Sequence, residues 1–348
     1  MIRTRLFKNK LGLRSGEWVE VRSAEEILAT LDDQGRLDAL PFMPEMLQYC
    51  GKRFRVFKSA HKTCDTIKTY HNRRMTKAVH LEGLRCDGEA HGGCQAGCLL
   101  FWKESWLKPV LGREMKGDRG ETRLETNAAV GNIGSVCNLE ALTGATRVQA
   151  AEGEASGERY RCQSTEILHA TSPLQWWDPW QYMKDLTSRN VRFLELLPYL
   201  MLAAFNAVVR CLHWRLRSYP YLPGLAGEKT PTEVLNLRPG ELVQVRSKDE
   251  IMRTINADRR NRGLAFDVEM FPYCGRTFRV LRRVERIIND RTGAMMRIPN
   301  ACLILDGVTC SGCLSRNRLF CPRSIYPYWH EIWLKRGEGE KQTQKVGF

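Results

Sequence analysis

The chain has 348 residues, 43% hydrophobic and 27% charged, with thirteen cysteines and a formal net charge of +15. That length accommodates two or three domains with real cores, and the composition excludes a wholly disordered chain. The opening stretch, MIRTRLFKNKLGLRSG, is basic but has no continuous apolar run, so it reads as no secretory signal and the expectation is a cytoplasmic protein.

The charge is unevenly placed. Residues 1–113 hold 20 Lys and Arg against 13 Asp and Glu, residues 114–239 hold 14 of each, and residues 240–348 hold 20 against 12. The two basic ends are also alike in sequence. GEWVEVRSAEEILATL at Gly16 is matched by GELVQVRSKDEIMRTI at Gly240, and the offset of 224 persists without a gap from Gly16 to Cys86. About a third of those 71 positions are identical, which marks an internal repeat. The copies re-align at FWKESWLK (Phe101–Lys108) and YWHEIWLK (Tyr328–Lys335), after cysteine loops of unequal length.

Within each copy, WVEVRS alternates apolar and polar residues and predicts a strand. Ser23 with Glu26, and Ser247 with Glu250, form S-x-x-E capping boxes that open a short amphipathic helix. A loop with Phe42 or Phe266 leads to a second strand, KRFRVFK or RTFRVLR. After a polar turn, AVHLEGL or CLILDGV predicts a third. The cysteine loop and a tryptophan-rich closing segment complete the unit. The expected fold is α+β, a tandem pair of small SH3-like β-barrels, each with one inserted helix. The expected domains are 1–113, 114–239 and 240–348.

The middle differs. LTGATRVQAAEGEASGERYR is small and polar and predicts an exposed linker. PLQWWDPWQYMKDLTSRN carries three tryptophans and a proline expected to break any helix there. FLELLPYLMLAAFNAVVRCLHWRLR (Phe193–Arg217) has an uncharged run of 14 residues, Leu196–Val209, which is short for a membrane span. Its basic flanks (Arg189, Arg192, Arg210, Arg215, Arg217) admit an interfacial anchor, and a buried helix is the plainer reading.

In a reducing compartment, clustered cysteines point to metal ligation or redox chemistry before disulfides. Cys86, Cys94 and Cys98 have spacings x7 and x3, with His91 among them; Cys310, Cys313 and Cys321 have x2 and x7. Both loops enter at the same point of the repeat, and a thiolate site wants a fourth ligand. Cys50 and Cys274 match in the repeat but precede Gly at a strand entrance, where a small thiol packs well. Cys64 and Cys302 are unmatched. A hairpin centred near His71 would set position 64 opposite 78, and one near Met295 would set 288 opposite 302. On that pairing the sites are Cys64, Cys86, Cys94, Cys98 and Cys302, Cys310, Cys313, Cys321. Zinc suits four thiolates in a small sheet, and an iron–sulfur cluster is the alternative. His61 and His80, like His91, are further candidate ligands. Trp102 and Trp106, like Trp329 and Trp333, are four apart and read as seals of a core or of a metal loop before stacking platforms for bases.

No P-loop, G-x-G-x-x-G or G-x-S-x-G is present, and HKTCD (His61–Asp65) is a weak nucleophile pair. The reading therefore leans away from an enzyme. It favours a zinc-stabilised tandem-domain protein that binds nucleic acid, another polyanion or a protein partner. Arg253, Arg259, Arg260, Arg262, Arg279, Arg282, Arg283 and Arg286 are dense in the second copy, though a solvated charged face explains them as well. The alternatives are an iron–sulfur electron-transfer or accessory protein and a membrane-associated scaffold on residues 193–217.

Overall fold

The computed structural model describes residues 12–110, 139–148, 158–211 and 219–337. It mixes helix and strand in several small antiparallel sheets, one of which curls into a half-barrel. That sheet is built from β1 (Trp18–Val21), β2 (Arg53–Ser59), the strand Ala78–Leu81, and two short strands, Trp102–Lys103 and Leu107–Pro109. Helix α1 (Ala24–Leu28) follows β1, and the Ser23–Glu26 capping box forms at its start. A four-stranded sheet repeats the plan with Leu242–Val245, Thr277–Ile288, Met295–Leu305 and Leu334–Arg336. Its short helix, Lys248–Met252, is capped by Ser247 and Glu250 in the same way.

The two sheets share their register. Trp18 pairs with Arg55 and Val19 with Phe54; Leu242 pairs with Arg279 and Val243 with Phe278. Their cores match as well. Phe42 meets the edges of Trp102 and Trp106 at 6.2 and 5.2 Å, while Phe266 meets Trp329 and Trp333 at 6.2 and 5.3 Å. The indole N–H of Trp106 donates to Thr30, and that of Trp333 to Thr254. All four tryptophans are fully enclosed, so they seal cores.

Contacts between the two ends come in matched pairs. The backbone N–H of Cys64 donates to Cys321 Sγ at 3.2 Å, and that of Ile288 donates to Cys94 Sγ at 3.4 Å. The hairpin of each end thus lies on the cysteine loop of the other. Between them, Thr66 donates to the carboxylate of Asp290, its own mate at the offset of 224.

The middle segment departs from expectation in two places. Pro179 starts a helix, Pro179–Thr187, with Asp178 as N-cap; at this first position the missing N–H costs nothing. The polar linker begins as helix Leu139–Ala145, and Arg147–Val148 pairs with Arg159–Tyr160; residues 149–157 lie outside the described residues. Leu142, Ile167 and Ala170 join the core of the first sheet.

Candidate metal centre

The first cysteine loop closes on itself, with the Cys86 N–H donating to the Cys98 carbonyl at 2.8 Å. The second closes equivalently, Cys310 N–H to Ile325 O at 2.7 Å, so Cys94 and Cys321 occupy corresponding places. Gly88 is obligatory in the first loop. Its φ is +81°, and a Cβ there would stand 2.0 Å from the Cys94 carbonyl oxygen.

Beneath the first loop lies a cavity of about 30 Å³. Cys86, Cys94 and Cys98 line it, and so do His91, Asp290, Arg323 and Cys162 from the middle segment. Beside it, Glu45 accepts the Cys86 thiol at 3.0 Å, and the same Oε1 lies 3.0 Å from His91 Nδ1. Burial pushes the Glu45 carboxyl up, but the His91 ring and the Cys86 thiol outweigh it, and its pKa ends below the ordinary carboxylate value. Glu45, Cys86 and His91 form a group that could hold a metal. Among the described residues, they are the one set whose ligand atoms all lie within 4.8 Å of one another.

At the second loop the gathering thiols are Cys310, Cys321 and Cys64. Cys64 donates its S–H to Cys321, which holds the Cys321 pKa below its usual value and drives that of Cys64 well above it. Burial and the nearby Cys310 push Cys321 back up, but that bond outweighs them. The cationic groups Lys62, Arg318 and Arg323 surround this set. Cys313 lies outward, with its thiol toward the Ser311 carbonyl at 3.6 Å and its side chain against Leu196, Ala203, Leu319 and Phe320. Cys302 is elsewhere, donating to the Asn300 carbonyl and standing 4.0 Å from His330 Nδ1.

The hairpin pairing read from the sequence is therefore corrected. Cys64 pairs with Asn72, not with Ala78, and Cys302 pairs with Val284, not with Ile288. The turn falls earlier because the Asp65 carboxylate accepts the backbone N–H groups of Ile67, Lys68 and Thr69 immediately after Cys64. In the second copy, register shifts between Val280 and Arg282 and between Val284 and Arg286 move the partners again. Cys64 consequently meets the other copy's loop instead of its own.

The remaining candidates are accounted for locally. Cys50 and Cys274 are half-buried just before the strands Arg53–Ser59 and Thr277–Ile288, packed against their cores, and burial pushes each thiol up to about 11. His61 turns to Gln181 and Asp185 while Cys64 turns to Cys321, so the nucleophile pair does not assemble. His80 is a core residue bonded to the Leu100 carbonyl. Sequence reasoning missed Cys162, which has no mate in the repeat. It also missed Glu45, although a signal existed: Glu45 and Glu269 are identical at the offset of 224, and Glu269 braces the second loop through the N–H groups of Cys313, Leu314 and Ser315.

No family model matches this chain, and comparison with curated proteins and with solved structures finds no similar one.

Proposed function

We propose that this is a non-catalytic cytoplasmic protein made of two metal-stabilised SH3-like copies, residues 1–113 and 240–348, around the middle segment 114–239. The observation that carries this reading is the matched placement of the two cysteine loops. Each is seated on the other copy's hairpin, and each brings several thiols to that seat, the half-buried Cys86, Cys94 and Cys98 at one end and half-buried Cys310 with buried Cys321 and Cys64 at the other. Metal at these positions would tie the copies together and add folding energy that two small sheets lack. Zinc is the metal favoured, and an iron–sulfur cluster is the competing one. Anaerobic purification followed by metal and sulfide analysis decides. Colourless protein with about two zinc ions per chain supports the reading. Brown protein with iron and labile sulfide supports the redox alternative. Protein without metal overturns both.

For the partner, the arginine-rich second copy favours a polyanion such as nucleic acid over a neutral surface. Fewer arginines are free than the sequence suggests. Arg283 is paired with Glu331, and Arg282 and Arg286 lie against Gly97 and Gly93 of the first loop. Arg253, Arg259, Arg260 and Arg262 remain exposed. Binding through these should fall steeply with salt, because the entropy gained by releasing condensed counterions shrinks as the bulk salt rises. Titration with a labelled oligonucleotide at two ionic strengths tests it, and no binding at low salt removes the polyanion.

A second reading, peripheral membrane contact, is favoured by the helix Phe193–Cys211, the one described helix long and apolar enough to cross a membrane. Leu196, Ala203, Asn206 and Val209 face inward, while Leu194, Leu197, Met201, Phe205 and Val208 are bare. Their spacing of three and four makes one continuous apolar stripe. Because the opposite face packs on Leu319 and Phe320, such a helix would lie in the membrane surface without crossing it. Flotation with vesicles rich in phosphatidylserine should carry the protein, and Leu194→Glu with Met201→Glu should release it. Equal flotation of that variant, or none of the parent, removes the reading.

A further inference from the structure

Glu45 and Glu269 are mates in the repeat, yet their carboxylates are bonded differently. Glu269 accepts the Ser311 hydroxyl and the N–H groups of Cys313, Leu314 and Ser315, which engages both of its oxygens. Glu45 is buried too, but its Oε2 has no hydrogen-bond partner. We propose that Glu45, Cys86 and His91 hold a single divalent metal ion of the zinc type in the first copy. This rests on the metal-stabilised reading above and narrows its first centre to one thiolate, one carboxylate and one imidazole.

Three observations carry it. The first is proximity. Glu45 Oε1 lies 3.0 Å from Cys86 Sγ and 3.0 Å from His91 Nδ1, and the three ligand atoms all fall within 4.8 Å of one another. Zinc bonds of about 2.0–2.3 Å set ligand atoms about 3.3–3.7 Å apart, so shifts of about an ångström seat the ion. The second is orientation. His91 Nε2 lies 3.1 Å from the Arg161 carbonyl, which can only accept, so Nε2 carries the ring proton. Nδ1 then turns a bare lone pair toward a carboxylate oxygen, with no hydrogen bond between them and the side chain only 1% exposed. Two acceptors held face to face out of water repel unless a cation joins them. A metal ion does that, and the Arg161 carbonyl fixes the ring for it. The third is charge and room. Binding Zn²⁺ would release the proton that Cys86 now donates to Glu45, and thiolate and carboxylate together would cancel the ion. A neutral centre suits a buried place. The cavity of about 30 Å³ beneath the loop, lined by Cys86 and His91, has room for one water molecule as the fourth ligand.

The rival is an imidazolium bonded to Glu45, with a proton where the metal is assigned. It leaves Glu45 Oε2 bare, and the ring misses the alignment that such a bond needs. Cys94 and Cys98 line the same cavity but join no comparable group among the described residues.

The test uses the full chain, purified anaerobically, with zinc counted after dialysis and cobalt(II) exchanged in. Glu45→Gln and His91→Gln should each lose about one equivalent of zinc per chain. His91→Cys should keep that zinc and strengthen the thiolate-to-cobalt absorption, because a second sulfur replaces the ring nitrogen; this also guards against simple misfolding. Cys94→Ser, whose hydroxyl can still accept the Ile288 N–H, should keep both the zinc and the parent's cobalt spectrum. Full zinc in Glu45→Gln or in His91→Gln, an unchanged cobalt spectrum in His91→Cys, or zinc loss in Cys94→Ser would each overturn the assignment while leaving the metal-stabilised reading intact. A metal-free parent protein would overturn both.

Discussion

His80 is fully enclosed against Phe101, and its Nδ1 donates to the Leu100 carbonyl at 2.8 Å. Burial drives its pKa down to about 3, so the folded state refuses a proton that the unfolded chain accepts near 6.5. Stability from this residue is complete above pH 6.5 and is lost as pH falls from there toward 3, at up to about 1.4 kcal/mol per pH unit. Urea melts at pH 7, 6 and 5 should show that slope, and His80→Gln should flatten it. Lys62 and Asp185 form a second enclosed site, 2.6 Å apart and both without exposure. Asp185→Ala strands the ammonium and should cost about 3–5 kcal/mol, whereas Lys62→Met with Asp185→Leu should recover most of that. Neither site was legible in the sequence, because a histidine or lysine in a strand gives no sign of which partner encloses it. Cys162 was illegible for the same reason.

The helix Phe193–Cys211 is apolar on both sides, so periodicity alone could not say which side is packed. Contacts supply the answer and a prediction. Leu196→Ala, on the inner face, should cost about 2–4 kcal/mol, while Met201→Ala, 64% exposed, should stay within about 0.5 kcal/mol. Thermal melts of the two variants compare them directly. Strands and capping boxes were legible, since alternation and S-x-x-E are local signals that the structure reproduces at Trp18–Val21, Leu242–Val245 and both short helices. Hairpin register was not. An Asp65-centred turn and two bulges move partners by several residues without disturbing alternation.

At the scale of the molecule, the repeat was plain from its offset, but a repeat does not tell where its copies meet. The hairpin of residues 277–305 rests on the first loop, with Gln95 accepting the N–H groups of Glu285 and Arg286. A fragment of residues 219–337 should therefore keep slow hydrogen exchange at Val243–Val245 and lose it at Glu285–Ile288, while the full chain protects both. Equal protection in fragment and full chain would show that the hairpin needs no support. The contact of Thr66 with Asp290 carries the meaning of this arrangement furthest. On the proposed duplication these are mates facing each other across an approximate dyad. A pair of separate identical chains would have to set threonine against threonine there, or aspartate against aspartate with its repulsion. Joined in one chain, the halves can place a donor on one side and an acceptor on the other. The same freedom lets one half carry Cys64 where the other carries Ile288, so mirrored positions can diverge into different chemistries within a single molecule.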